Sequence, residues 1–204
     1  MSNIYRTMKS DFSYDLLIIG GGISACVFAS KYLQKNISKK IALIETGRRL
    51  GGRSSTRISR RFRGWEINHG APNFNISNSK GNPLLKNYIF ELLENKLIKI
   101  DDSELISLGN EAKLETNKKS EFYRGDSYLS LFSMSELSQK IIESNNLRGK
   151  IDLFFETLIV DLKFSNEEWT LTSKNGDKFK SKYLICSSNL LMHKRALKIL
   201  NINE

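Results

Sequence analysis

The feature that most constrains the fold is a glycine triplet between a short apolar run and a helical segment. The run at residues 16–19 is typical of a strand buried on both faces of a parallel sheet. Residues 20–22 are all glycine, and apolar side chains recur at helical spacing over residues 23–33. A second apolar run, Ile41–Ile44, is followed by Glu45. This strand–glycine turn–helix–strand–acid order predicts the unit that binds the adenosine half of a dinucleotide.

The turn and the first helical residues have separate roles in this prediction. Gly20 permits a sharp turn, and Gly22 removes a side chain that would hold the backbone away from a pyrophosphate. Ala25 is expected where the helix packs closely on a strand. The helix start directs free N–H groups and the positive end of its dipole at the phosphates. The predicted phosphate-binding residues are Gly20, Gly21, Gly22, Ile23, Ser24 and Ala25.

Glu45 lies at the end of the second strand, where a carboxylate can accept hydrogen bonds from ribose hydroxyls. Its negative charge would repel a 2′-phosphate, so the residue argues against a phosphorylated adenosine ribose. Within the helix, Val27, Phe28, Tyr32 and Leu33 define the predicted apolar face.

Residues 48–56 resemble a flavoprotein signature. They read Arg-Arg-Leu-Gly-Gly-Arg-Ser-Ser-Thr, similar to the Gly-Gly-Arg-x-x-Thr segment of the flavin amine oxidase and renalase-like family. The resemblance implies that Gly52 brings further backbone to the phosphates, while the forked donors of Arg53 neutralise them. An enzyme that binds NAD alone has no such requirement, so the resemblance implies FAD as the cofactor.

A second segment resembles the same family at residues 65–74. The family carries an acid-x-Gly-Ala-Gln-aromatic stretch beside the flavin, and Gly70 and Ala71 match it. The match implies that their backbone approaches the isoalloxazine ring or the ribityl chain. Asn68 stands where the family has an acid. His69 invites the role of catalytic base, but nothing nearby in sequence orients it, which favours a structural or solvent-facing histidine.

The resemblance implies an α/β fold, a Rossmann-like FAD-binding domain with a parallel sheet, helices and an antiparallel β-meander, plus part of an inserted substrate-binding domain. The predicted division is a first FAD-binding segment at 1–76, the insertion at 77–127 and a second FAD-binding segment at 128–204. In the family, backbone near the position of Ile159 holds the adenine edge.

Local patterns predict the remaining elements. Helices are expected at residues 84–96, at 134–145 with Ser133 or Ser135 as N-cap, and at 190–202. Residues 56–66 predict an irregular connection or hairpin, residues 98–108 a strand, and the charged stretch 111–121 a solvated loop. Further strands are predicted at 151–155, 158–164, 168–173 and 178–186, the last two joined by a hairpin at Asn175-Gly176-Asp177.

The formal net charge of +10 raises the question of a nucleic-acid or acidic-membrane partner. A composition rich in lysine, asparagine and isoleucine is the alternative explanation, and part of the arginine-rich stretch 48–63 lies where a pyrophosphate needs compensation. Recognition-helix, zinc and RNA-binding motifs are missing, so no nucleic-acid partner is expected. Residues 1–13 lack an apolar signal core, and no apolar run is long enough to span a bilayer. We therefore expect a cytoplasmic protein without a membrane partner.

Cys26 and Cys186 predict buried, inert thiols, and two cysteines with two histidines define no disulfide framework and no metal site. The resemblance covers roughly the first half of the family, whose later half supplies the lysine near flavin N5, so the catalytic residues are unknown. One hypothesis is an oxidoreductase that transfers hydride to FAD from a small-molecule substrate, either an amine or a reduced nicotinamide. The alternative is a truncated or split-gene nucleotide-binding module, with a partner polypeptide supplying the C-terminal half.

Overall fold

The computed structural model describes residues 11–77, 82–108, 114–118, 125–144, 149–188 and Lys198. The helix expected at residues 190–202 lies outside this range, apart from Lys198. The chain divides into two compact units, one of Met1–Gly52 with Ser138–Glu204 and one of Arg53–Leu137. The predicted functional division falls instead at residues 76 and 127, and the assignment of the middle segment to substrate binding stays a prediction.

The described elements follow in chain order. They are β1 (Asp11–Ile19), α1 (Ile23–Lys35), β2 (Ile41–Ile44), a short 3-10 helix (Gly52–Ser54), β3 (Thr56–Ile58), β4 (Glu66–Asn68), β5 (Phe74–Ser77), α2 (Pro83–Glu94), β6 (Ile98–Ile100), β7 (Glu104–Leu108), β8 (Leu114–Lys118), β9 (Gly125–Ser130), α3 (Met134–Glu143), β10 (Ile151–Phe154), β11 (Ile159–Ser165), β12 (Glu168–Ser173) and β13 (Lys178–Cys186).

A six-stranded sheet in the order β10-β2-β1-β13-β12-β11 forms the first unit. β1 runs parallel to β2 and to β13, and β10 runs parallel to β2. β11, β12 and β13 form an antiparallel meander. The turn before β13 contains Gly176 at φ 91°, at the predicted hairpin. The mixed α/β sheet with its meander confirms the predicted fold class.

Strand β1 begins at Asp11, five residues before the predicted apolar run. Its first part pairs with β13, from Asp11 opposite Lys178 to Tyr14 opposite Ser181, and Phe12 and Tyr14 pack against the apolar core. A continuous apolar run does not extend over this part, because only alternate side chains reach the core there.

Side chains from five strands share one apolar core. Buried residues of β1, β2, β11, β12 and β13 contribute to it, namely Leu17, Ala42, Ile44, Ile159, Leu171 and Phe179. Because side chains alternate along a strand, Leu16 and Ile18 of β1 face the other side of the sheet, where they are also buried. Burial on both faces explains the continuous apolar runs of β1 and β2.

The buried face of α1 differs from the prediction. It consists of Ala25, Cys26, Ala29, Ser30 and Leu33. Of the four predicted residues only Leu33 is fully buried, while the rings of Phe28 and Tyr32 stack on each other with centroids 5.7 Å apart. Small residues dominate the buried face because close packing of a helix on a sheet leaves no room for aromatic rings.

The second unit contains a β3–β4 hairpin, a three-stranded sheet in the order β5-β9-β6, a β7–β8 hairpin and α2. The hairpin within residues 56–66 is therefore confirmed. The prediction of a solvated loop at residues 111–121 is wrong for residues 114–118, which form β8 and pair antiparallel with β7. Its sequence, Leu-Glu-Thr-Asn-Lys, has no run of apolar residues, and backbone pairing with β7 makes it a strand.

A capping box begins α3 and decides between its two candidate N-caps. Ser133 Oγ accepts a hydrogen bond of 3.2 Å from the amide of Glu136, and Glu136 Oε2 accepts one of 3.1 Å from the amide of Ser133. Ser135 instead accepts a 2.9 Å hydrogen bond from the amide of Thr56. Ser133 is the N-cap, and Ser135 joins the helix to the base of the β3–β4 hairpin.

Candidate functional site

Four parallel strands of the first unit end at one edge of the sheet. The last residue of β1, Ile19, stands in register with Ile44 of β2 and Cys186 of β13, and Ile44 with Phe154 of β10. After β1 the chain adds β2 on one side, and it returns as β13 on the other. The end of β1 is thus the topological switch point, the position at which open α/β sheets bind ligands.

The glycine triplet occupies this switch point, and its members meet different surroundings. Gly20 adopts φ 100° and donates a hydrogen bond of 2.8 Å to the carbonyl of Ile44. A Cβ at Gly21 would lie 2.8 Å from Leu50 Cδ2. Gly22, at φ −68° and ψ 165°, is the N-cap of α1, and a Cβ there would meet no atom within 4 Å. The turn is therefore closed at Gly20 and Gly21 and open at Gly22.

The start of α1 leaves backbone donors at the open side of the turn. The first helical hydrogen bond runs from the amide of Cys26 to the carbonyl of Gly22 at 3.1 Å. Ile23, Ser24 and Ala25 precede it, so their amides have no partner within the helix. The N-cap has no side chain to accept from them, and no acid lies in the first turn. These donors and the helix dipole can bind an anion.

The Glu45 carboxylate lies against the closed side of the same turn. Its Oε2 accepts a 2.6 Å hydrogen bond from the amide of Gly21, and its Oε1 accepts one of 2.6 Å from the amide of Gly47. Thr46 Oγ1 donates to Oε1 at 3.2 Å. A carboxylate has about four acceptor positions, so Glu45 holds the turn through these bonds and retains one position for a ribose hydroxyl.

A second pair of glycines packs against the first turn. The amide of Gly51 donates a 2.8 Å hydrogen bond to the carbonyl of Gly21, and Gly51 forms an isolated parallel bridge with Gly22. Gly52 adopts φ 53°, and a Cβ at this residue would lie 3.2 Å from Gly22 Cα. The two glycine segments thus pack together, with Gly21 and Gly51 buried and backbone accessible at Gly22 and Gly52.

The chain before Ile159 lies beside Glu45. The amides of Glu156 and Thr157 donate 3.0 Å hydrogen bonds to the carbonyls of Gly47 and Glu45. Ile159 itself begins β11, with its side chain in the apolar core. The structure brings this backbone to the predicted adenosine side, while its contact with adenine stays a prediction.

Three predicted residues belong to the second unit, where they lie next to one another. The amide of Ala71 donates a 3.1 Å hydrogen bond to the carbonyl of Arg53. A Cβ at Gly70 would overlap that same carbonyl oxygen, so only glycine fits there. The side chain of Arg53 is exposed. The contact of these residues with a cofactor stays a prediction.

Sequence reasoning missed Gly47, whose amide holds Glu45, and it did not predict that the amide of Gly51, half of the Gly-Gly pair, would bind the carbonyl of Gly21. After β13, the amide of Ser187 donates a 2.8 Å hydrogen bond to Ile19, and Ser188 Cβ lies 3.3 Å from the Cβ position of Gly20. The available signal was small residues after parallel strands, whose ends meet at one edge.

Neither the two cysteines nor His69 supplies a reactive group to the glycine turn. Burial, with a smaller contribution from the Glu45 charge, raises the pKa of Cys26 to about 12. Burial also raises the pKa of Cys186. His69 faces solvent. Within the described ranges, no group of three or more His, Cys, Asp and Glu side chains could hold a metal ion, and no helix has the length and apolarity to cross a membrane.

Comparisons with known proteins agree with this geometry. Residues 18–90 match the family model of the NAD(P)-binding Rossmann-like domain. A comparison with curated protein sequences gives no match. The chain therefore contains a dinucleotide-binding Rossmann-type segment that includes the glycine turn, α1, β2 and Glu45.

Solved structures share the fold at low sequence identity. Putrescine oxidase bound to putrescine superposes with a TM-score of 0.63 at 11% identity, over 91% of this chain and 60% of that one. A protein from Exiguobacterium sp. 255-15, provisionally named a protoporphyrinogen oxidase, gives 0.64 at 13%, over 96% and 63%. PqsL from Pseudomonas aeruginosa, named "a probable FAD-dependent monooxygenase", gives 0.54 at 15%, over 94% and 46%. The chain spans less than two thirds of each of these proteins.

Proposed function

We propose that this chain binds FAD and forms the dinucleotide-binding part of a flavin-dependent oxidoreductase of the amine oxidase and renalase-like type. The observation that carries the proposal is the contact between the two glycine segments. The amide of Gly51 donates a hydrogen bond to the carbonyl of Gly21, and Gly52 packs on Gly22. One glycine turn suffices for a minimal NAD fold, whereas the second enlarges the backbone surface for a pyrophosphate. A structural relative named as FAD-dependent supports this choice.

The residues present fit an FAD adenosine and pyrophosphate. The open space at Gly22 leaves room for phosphate oxygens, and the amides of Ser24 and Ala25 bind them. Glu45 accepts a ribose hydroxyl at the acceptor position that Gly21, Gly47 and Thr46 leave free. Arg53 follows Gly52 directly in the chain and adds a positive charge for the phosphates.

The bound flavin would supply the redox step, accepting a hydride from the substrate. We propose a small amine or a reduced nicotinamide as the substrate class. The family resemblance of residues 48–56 and 65–74 supports this proposal, as does the relative whose structure holds putrescine. The chain's own contribution is to bind and orient the cofactor.

A second candidate is a dinucleotide-binding module that turns over only with a further polypeptide. The chemistry of the site supports this module in one respect, namely that the described groups at the glycine turn are suited to binding a ligand rather than to reacting with it. The nearby Cys26 thiol stays protonated at neutral pH because its pKa is about 12. The two candidates share the cofactor and differ in whether substrate reduces it.

Equilibrium dialysis against FAD and NAD tests the cofactor. We expect preferential retention of FAD, and Gly22→Ala should lower FAD affinity at least about tenfold, a cost of roughly 1.4 kcal/mol. The melting temperature should stay unchanged, because φ −68° suits alanine and its Cβ meets no atom. Arg53→Ala should lose about 1.5–3 kcal/mol of binding, with Arg57→Ala as the matched control.

Preferential retention of NAD would indicate a general Rossmann module rather than an FAD-binding one. Unchanged FAD binding in both Gly22→Ala and Arg53→Ala would refute the proposed site. Anaerobic addition of amines or reduced nicotinamide then separates the two functions. Loss of the flavin's visible absorption supports the oxidoreductase. A bound flavin that none of these compounds reduces supports the binding module.

A further inference from the structure

The β3–β4 hairpin of the second unit concentrates positive charge that the proposed cofactor site does not use. Between Thr56 and Asn68 lie four arginines, Arg57, Arg60, Arg61 and Arg63, all exposed. Glu66 is the one acid in this stretch of sequence. The hairpin is therefore strongly basic over a short length, and its charge is carried by arginine alone.

The same hairpin exposes a pair of aromatic rings. Phe62 is 50% and Trp65 is 63% exposed, with ring centroids 5.2 Å apart. The loop builds this pair with its own hydrogen bonds: the amide of Ser59 donates to the carbonyl of Trp65 at 2.9 Å, and the amide of Trp65 to that of Phe62 at 3.2 Å. We call Phe62 and Trp65 the aromatic pair. Exposing it to water forgoes the stabilisation that burial would give.

The apolar surface extends beyond the rings on one face of the hairpin. Ile67 is 51% exposed and pairs with Arg57, and alternation along the strand places it on the same face as Trp65. Ile58, 41% exposed, pairs with Glu66 and lies on the opposite face. The Arg61 guanidinium lies 5.4 Å from the Phe62 ring centroid, so one face of the Phe62 ring is already engaged. The Trp65 ring also packs against Phe62. Nucleic-acid bases need free ring faces for stacking and gain little from isoleucine. A lipid interface accepts rings and aliphatic groups together, with arginines at the headgroup phosphates.

We propose that the β3–β4 hairpin docks on the surface of an anionic lipid bilayer. The aromatic pair, with Ile67, enters the boundary between headgroups and acyl chains, and the four arginines bind lipid phosphates. This is a peripheral contact, which departs from the expectation of no membrane partner. It is independent of the proposed cofactor, because the hairpin carries it alone.

Vesicle binding with a tryptophan reporter tests the proposal directly. The chain has two tryptophans, so Trp169→Phe leaves Trp65 as the only reporter. We expect this protein to sediment with vesicles of phosphatidylcholine and phosphatidylserine, with a blue shift of Trp65 emission. Vesicles of phosphatidylcholine alone should bind it far more weakly. An unchanged Trp65 spectrum with anionic vesicles would overturn the proposal.

Matched variants separate charge and apolar insertion from general effects. Arg60→Gln, Arg61→Gln and Arg63→Gln together should lower the partition coefficient roughly 100-fold, because each arginine contributes a factor of about five at an anionic surface. Lys150→Gln, Lys174→Gln and Lys178→Gln remove the same charge from exposed lysines of the first unit and should have a much smaller effect. Equal losses in the two triple variants would overturn the proposal.

A second comparison concerns the aromatic pair. Phe62→Ser with Trp65→Ser should abolish sedimentation, whereas Leu84→Ser with Phe90→Ser removes side chains of similar exposure from α2 and should leave it intact. Both double variants alter exposed residues, so folding is expected to survive, and circular dichroism checks it. Hairpin-dependent binding of single-stranded RNA without vesicle binding would overturn the membrane proposal in favour of nucleic acid.

Discussion

At the scale of single residues, neighbouring glycines of the turn have different roles, one in packing and one in binding. Gly21 is a packing requirement, since a Cβ there would press on Leu50 and on Glu45 Oε2 at 3.0 Å. Gly22 has no packing requirement, since its Cβ position is open. Alanine at Gly21 should therefore damage folding, whereas alanine at Gly22 should damage binding.

Glu45 offers a test of its double role at the turn. Glu45→Ala leaves the amides of Gly21 and Gly47 without their acceptor and should destabilise the fold by about 1–3 kcal/mol. Glu45→Gln retains one acceptor oxygen and should cost less. Urea titration of both variants measures the difference. Equal stability of the two variants would show that the carboxylate does not hold the turn.

At the scale of elements, α3 is defined by its capping box. Ser133→Ala removes the acceptor of the Glu136 amide and should destabilise the protein by about 1 kcal/mol. Ser133→Thr retains the oxygen and serves as the control. Thermal unfolding of both variants gives the comparison, and a threonine variant as unstable as the alanine variant would argue against the cap.

A hydrogen-bonded cluster connects α3 to the β3–β4 hairpin within the second unit. Thr56 Oγ1 donates to Asn68 Oδ1 at 2.7 Å and accepts from the amide of Ser135 at 3.2 Å. Asn68 Oδ1 also accepts from the amide of Met134 at 3.1 Å. Asn68, which stands where the family that residues 65–74 resemble has an acid, thus has a structural role here.

At the scale of the whole molecule, one side-chain pair links distant parts of the chain and makes stability depend on pH. Tyr14 of β1 donates a 2.7 Å hydrogen bond to Asp152 Oδ2 of β10. Burial, and then Asp152, raise the pKa of Tyr14 above its ordinary value. The folded state therefore retains a proton that the unfolded chain loses above about pH 10.

The stabilising effect of Tyr14 is present in full below pH 10 and is lost as the pH rises toward its raised pKa. Tyr14→Phe should consequently flatten the fall of stability on the alkaline side, while Tyr183→Phe, at an exposed tyrosine, serves as the control. Denaturant titrations at several alkaline pH values measure the slopes. Parallel slopes in wild type and Tyr14→Phe would contradict the role of this pair.

Much of the first unit could be predicted because its signals are local. A buried parallel strand needs a continuous apolar run, a sharp turn needs glycine, and a tight hairpin favours residues such as Asn175 and Gly176. Each requirement concerns neighbours in sequence. The β1–α1–β2 unit, Glu45 and the hairpin before β13 were accordingly placed correctly.

What only the tertiary structure decided depends on partners far away in the chain. Helix α1 buries Ala29 and Ser30 rather than Phe28, because small residues allow the helix to pack closely. Strand β8 forms without an apolar pattern because β7 supplies its hydrogen bonds. The direction of the Glu45 carboxylate, toward Gly21 and Gly47, follows from the way strand ends meet at the switch point. Sequence alone specifies the residues at such places, and long-range packing determines which groups they contact.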